Sequence, residues 1–189
     1  MRMVFIHGGG DGAFVFDSDV VSRLHDALGD APAIEYPHLD GLERIEWQPA
    51  HAQLTEFLSG NGAPTIVVAH SIGAAAVLKL LARGEFPHVV SAFLLAPPYK
   101  GADSHWGVDD FTLPDDFADR LLLDVALYYC NDDEIIPVDD AQAYRAKLPA
   151  AKVSLLPSGG HQFTGVIDVI ANDIRVVLRQ AQDDNGGSG

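Results

Sequence analysis

The chain has 189 residues, 48% of them hydrophobic and 21% charged, which fits one domain with a substantial core and excludes a disordered polymer. Twelve basic against 27 acidic residues give a formal charge of −15, a balance that disfavours nucleic acid and anionic membranes as partners. No apolar run approaches a membrane span, residues 3–6 are too short for a signal-peptide core, and the lone Cys130 allows no internal disulfide, so a cytoplasmic location is expected.

In chain order, the apolar residues 3–6 predict a strand that stops at the turn His7-Gly8-Gly9-Gly10-Asp11-Gly12. Val20, Val21, Leu24 and Leu28 then share one helical face, with Asp17 or Ser18 as cap and Gly29 as stop. A strand over 33–36 follows, then a helix marked by Leu54, Phe57 and Leu58. The run over 65–69 predicts a buried strand that passes through His70 into Ser71-Ile72-Gly73 and a small-residue helix carrying Val77, Leu80 and Leu81, ending at Gly84.

Residues 89–95 predict a fourth strand, after which 97–119 form a long, Asp-rich connection holding Tyr99, Trp106, Phe111 and Phe117. Those aromatic residues either line an acyl pocket or pack as a satellite core. The fifth strand, 125–130, leads into Asn131-Asp132-Asp133-Glu134-Ile135-Ile136-Pro137. Pro137 and an Asp139 cap open a helix with Ala141, Tyr144 and Leu148. The sixth strand, 152–155, is followed by Ser158-Gly159-Gly160-His161, and Val166, Ile170, Ile174 and Val177 carry the last helix. The tail 182–189 has the composition of a flexible linker, consistent with a cloning remnant, and is set apart from the domain at 1–181.

Strand and helix alternate throughout, which predicts an α/β fold with a mainly parallel six-stranded sheet covered by helices on both faces. In such sheets, sites form at the carboxyl ends of strands. Read at those ends, the chain offers Ser71, an acid in the Asp132-Asp133 pair, and His161, in the order nucleophile, acid, base. A serine hydroxyl needs a base to remove its proton, and the base needs a carboxylate to hold its tautomer. Residues two before and two after the serine must be small where strand and helix backbones nearly touch, and Ala69 and Gly73 meet that need. Backbone N–H groups of Ile72 and of Gly9, or alternatively Gly10, are placed to stabilise an oxyanion.

On His7-Gly8-Gly9-Gly10, Ala69-His70-Ser71-Ile72-Gly73, Asp133-Glu134-Ile135-Ile136-Pro137 and Gly159-Gly160-His161, the chain resembles the α/β-hydrolase superfamily. Within it, the likeness is to the small serine hydrolases that include the retinoblastoma-binding-protein-9-like and YdeN-like proteins. The resemblance spans about residues 2 to 180 and implies a compact fold with strand order 2-1-3-4-5-6. It also implies Ser71 as nucleophile, His161 as base and Asp133, four residues before Pro137, as the triad acid in place of Asp132. Ala69 departs from the usual glycine. The activity so implied is that of a serine hydrolase acting without a cofactor or metal on a small-molecule carboxylic ester, with thioesters or amides as further substrates. Tyr99, Trp106 and Phe111 are candidate pocket residues, and activity is expected to fall as His161 becomes protonated.

Two other classes fit parts of the chain. One is a protein-binding module that keeps the hydrolase scaffold without turnover. The other is a dinucleotide-binding protein, because Gly8-x-Gly10-x-x-Ala13 follows a strand and Glu35 closes the next one. His7 and His70 are expected to support neighbouring loops. His25, His38, His51, His88 and His105 show no metal-ligand spacing, and Cys130 is expected to pack as a small hydrophobe.

Overall fold

Unbroken apolar runs become parallel strands because both faces of such a sheet are covered. The computed structural model describes residues 1–60 and 62–186. Its strands are β1 (Arg2–Ile6), β2 (Ile34–Glu35), β3 (Thr65–His70), β4 (Val89–Leu95), β5 (Asp124–Cys130) and β6 (Lys152–Leu156). They form one all-parallel sheet in the order β2-β1-β3-β4-β5-β6, as expected. All six residues of β3 are buried, as befits a central strand.

The helices are α1 (Ala13–Leu28), α2 (Asp40–Glu43), α3 (Trp47–Ser59), α4 (Ser71–Leu81), α5 (Phe117–Arg120), α6 (Val138–Lys147) and α7 (Ile167–Gly186). Helix α1 packs against α7, α3 against α4, and α6 against β5 and β6. No helix among the described residues is long and apolar enough to cross a membrane.

Several local expectations change. Asp17 does not cap α1, which starts four residues earlier behind Gly12 at φ 77°. It lies instead on the buried stripe Ala13, Asp17, Val20, Leu24, Leu28. Helix α4 stops at Leu81, and Gly84, at φ 74°, closes the turn beyond it. Pro137 occupies the cap position of α6, and Asp139 sits in its first turn without a capping bond. Strand β2 shrinks to two residues, and α2, too short to show a period, was not anticipated. Helix α7 continues to Gly186, past the expected domain end at 181, while residues 187–189 of the expected tail lie outside the described residues.

The long connection after β4 is packed rather than loose. Phe111, Leu113 and Phe117 are buried in the main core, each contributing about 2–3 kcal/mol on burial. The backbone N–H of Leu113 donates to the carbonyl of Lys100 at 2.8 Å, and the Lys100 ammonium pairs with Asp109 at 2.5 Å.

Candidate active site

Ser71 opens α4 directly after β3 and holds φ at 52°, a left-handed conformation that costs a serine about 1–3 kcal/mol. The surroundings enforce it. A Cβ on Gly73 would lie 1.9 Å from the carbonyl oxygen of His7, so only glycine lets α4 approach β1 this closely. Ala69 is fully buried, and the elbow forms with alanine at that place. Ser71 itself remains partly exposed.

The glycine turn after β1 divides its three amides among different tasks. The Gly8 N–H donates to Asp17 Oδ2 at 2.7 Å, and the Gly10 N–H donates to the Leu42 carbonyl at 3.2 Å. Among the described residues, the Gly9 and Ile72 N–H groups have no acceptor. Gly10 is therefore withdrawn as an oxyanion donor, because its N–H is turned onto α2. Gly9 has no room for a side chain: a Cβ there would lie 1.9 Å from Ile72 Cγ2. Buried His7 braces the same turn. Its Nε2 accepts from the Leu39 N–H at 3.0 Å while Nδ1 contacts the Gly8 carbonyl at 2.8 Å, and burial lowers its pKa. Both observations fit a neutral imidazole.

The two adjacent aspartates after β5 take different partners. Asp133 Oδ2 accepts from His161 Nδ1 at 2.9 Å, while its Oδ1 accepts the N–H groups of Ile135 and Ile136 at 2.8 and 2.9 Å. Burial alone would raise the Asp133 pKa, but the hydrogen bond from His161 and the two N–H groups hold it below the usual carboxylate range. Asp132 instead accepts the N–H groups of Gly160 at 2.9 Å and Gly159 at 3.2 Å, and the Gly160 contact leads in lowering its pKa. One aspartate thus orients the imidazole, and its neighbour orients the loop that carries it. His161 is 8% exposed, and its ring lies 4.5 Å, centroid to centroid, from that of His70, the residue before Ser71.

The other candidates separate. Tyr99 and Phe111, expected as pocket residues, are buried at 5% and 2% exposure, so they belong to the core. Tyr99 packs edge-on against Tyr144, and Phe111 edge-on against Trp47. Trp106 keeps 39% of its surface exposed, and its indole N–H donates to Asp140 at 2.7 Å. A cavity of about 510 Å³ opens at the amino ends of β4, β5 and β6, lined in part by Phe93, Leu121, Leu123, Tyr128, Leu148 and Val177. It contains none of Ser71, Asp133 and His161, which follow the carboxyl ends of their strands.

Glu35, which a dinucleotide reading needs free, is held by two hydrogen bonds from Arg2 at 2.8 and 2.7 Å. Cys130 is fully buried, and burial, followed by the charges of Asp132 and Asp133, pushes its thiol up to about 12. Asp17, expected as a possible cap, is instead a buried partner of the site, a role that its place four residues after Ala13 on the stripe of α1 makes plain only once the helix start is known.

This strand order and elbow define an α/β-hydrolase fold. The chain belongs to the serine hydrolase family, whose model matches residues 21–164, a span holding all three proposed triad residues. Among solved structures, it is similar to the ydeN gene product of Bacillus subtilis, at 17% identity and TM-score 0.75, covering 95% of this chain and 100% of that one. It is also similar to a YdeN-like hydrolase from Pectobacterium atrosepticum, at 16% identity and TM-score 0.65, covering 90% of this chain and 89% of that one. Est1E from Butyrivibrio proteoclasticus aligns at 13% identity and TM-score 0.64, covering 95% and 87%. No curated protein sequence matches the chain.

Proposed function

We propose that the protein hydrolyses small carboxylic esters through an acyl-enzyme on Ser71. Ser71 Oγ attacks the carbonyl carbon as His161 Nε2 takes its proton. Asp133 holds the imidazole through Nδ1 and stabilises the imidazolium. The N–H groups of Ile72 and Gly9 receive the oxyanion, each worth about 3–4 kcal/mol in the transition state. His161 then protonates the leaving alcohol, and water, activated by the same imidazole, releases the acid. The observation that carries this reading is the Asp133–His161 hydrogen bond, with the imidazole against the ring of His70, the residue before a left-handed serine; among the described residues, the N–H groups of Ile72 and Gly9 have no acceptor.

The test is labelling with a fluorophosphonate, together with turnover of short-chain p-nitrophenyl esters. Both are expected in the wild type and lost in Ser71→Ala, with the melting temperature retained. An unlabelled, inactive but folded wild type would overturn the proposal and leave a binding module on a hydrolase scaffold.

A further inference from the structure

The loop that bears His161 lies between β6 and α7 and has little regular structure of its own. Glycines supply two of its positive-φ positions, Gly159 at φ 135° and Gly160 at φ 57°, while Phe163 at φ 55° is strained. Side chains from elsewhere hold it. Asp132 takes the amides of residues 159 and 160, while the three consecutive carbonyls of residues 161, 162 and 163 each accept from a side chain. Arg23 of α1 donates Nη2–H to the Gln162 carbonyl at 2.7 Å and Nη1–H to the Phe163 carbonyl at 2.9 Å. His70 donates Nε2–H to the carbonyl of His161 itself at 2.9 Å.

His70 is in turn held by Asp17. The Asp17 oxygens both lie 2.9 Å from His70 Nδ1, and both side chains are almost fully buried. The same carboxylate accepts the Gly8 N–H at 2.7 Å and the Gln162 amide at 3.4 Å. Burial would raise the Asp17 pKa, but the charge and hydrogen bond of His70 and the Gly8 N–H outweigh it and leave it lowered. One buried carboxylate therefore joins the oxyanion turn, the elbow and the base-bearing loop. Burying an acid on the otherwise apolar stripe of α1 against a buried histidine at the end of β3 is unfavourable unless every polar atom is paired, and here each is paired with a segment of the site.

We infer that His70, seated by Asp17, is a positioning residue for His161, setting the distance of the base from Ser71 through its bond to the His161 carbonyl. The inference rests on the hydrolase reading for its kinetic consequence but not for its structural one. A displacement of about 1 Å at a reacting group can cost about 100-fold in rate.

Two substitutions separate the two ends of the imidazole. In His70→Gln the side-chain amide reaches the place of Nε2 and keeps a donor to the His161 carbonyl. His70→Asn keeps a donor toward Asp17 and loses the other end. For p-nitrophenyl ester turnover, H70Q is expected to retain kcat within about threefold. H70N is expected to lose about 10- to 100-fold in kcat, with KM within about twofold. The amides of Phe163 and Thr164, which close the loop onto Gly160 and Gly159, are expected to exchange with solvent at least about tenfold faster in H70N and unchanged in H70Q.

Equal kinetic losses in the two variants, or equal exchange rates, would overturn the assignment, because a merely structural histidine is damaged alike by both. If the wild type neither turns over esters nor labels, the hydrolase reading falls while the exchange comparison still decides the clamp. The wild type gives a check that needs no variant. The His70 Nε2–H is expected as a slowly exchanging imidazole proton with a nuclear Overhauser contact to residue 161, and its absence in the folded protein would refute the bond.

Discussion

Replacing Asp133 by asparagine perturbs one proton and little else. The asparagine oxygen can keep the place of Oδ1 and still accept the Ile135 and Ile136 N–H groups, now at 2.8 and 2.9 Å. Its amide nitrogen then faces His161 Nδ1 across the 2.9 Å contact and can only donate. The imidazole must accept there, so its proton moves to Nε2, the nitrogen that has to receive the proton of Ser71. Loss of the correct tautomer in a serine triad costs about 10⁴-fold in kcat, or about 5 kcal/mol at 1.36 kcal/mol per decade. Asp132→Asn keeps one oxygen for Gly160 and gives up the longer contact to Gly159, so a loss below about tenfold is expected. The assay is steady-state hydrolysis of p-nitrophenyl acetate, normalised to sites titrated with a phosphonate and paired with melting curves for each variant. Should Asp132→Asn fall as far as Asp133→Asn, or Asp133→Asn stay within tenfold of wild type, the division of labour between the two aspartates is wrong.

Gly9→Ala places a methyl group against Ile72 and must move the unengaged N–H; about a 100-fold loss in kcat is expected, with partial recovery when Ile72→Ala is added. A fully active Gly9→Ala would exclude that amide from the oxyanion site. Asp140, buried beneath the long connection, has its pKa raised by burial, against hydrogen bonds from Trp106 and Tyr99 that lower it. An acid whose folded pKa lies above its unfolded value binds more protons when folded, so its stabilisation is lost as pH rises through that interval. Asp140→Asn can keep both hydrogen bonds, and its melting temperature is expected to gain on wild type as pH rises from about 3 to about 8. A gain that is constant or shrinks over this range would contradict the assigned direction.

The fold was readable because most strands are continuous apolar runs, long enough to be told from their surroundings, and because Ser71, the aspartate pair and His161 all fall at strand ends. Strand β2 escaped full definition because two paired residues on an edge leave almost no pattern. The choice between Asp132 and Asp133 could not come from composition, since both are acids on one loop and only their partners distinguish them. The preference for Asp133 is what the family resemblance implies, through its pattern of an acid four residues before a proline. Gly9 and Gly10 were inseparable for a similar reason: the acceptor that removes Gly10 is a carbonyl of α2, a helix too short to leave a trace in sequence. For Tyr99 and Phe111 the sequence leaves pocket lining and satellite-core packing open, because aromatic residues in a polar stretch serve either role. The stretch is in fact folded onto the core through them. Asp17 was misread as a cap because local chemistry favours aspartate there, while its real partners, Gly8 and His70, lie nine and 53 residues away.

The hollow at the amino ends of β4, β5 and β6 has a practical consequence for inhibitor discovery. Fragments soaked into crystals and bound in that apolar recess, beside Leu121 and Val177, would sit at the amino ends of the strands, whereas Ser71 follows the carboxyl end of β3. The lining of the recess includes none of Ser71, Asp133 and His161, so compounds ranked by fit to this cavity would be ranked on a surface away from the proposed triad. Warheads that bond to serine, screened by competition with a labelled phosphonate, would report on the catalytic side instead.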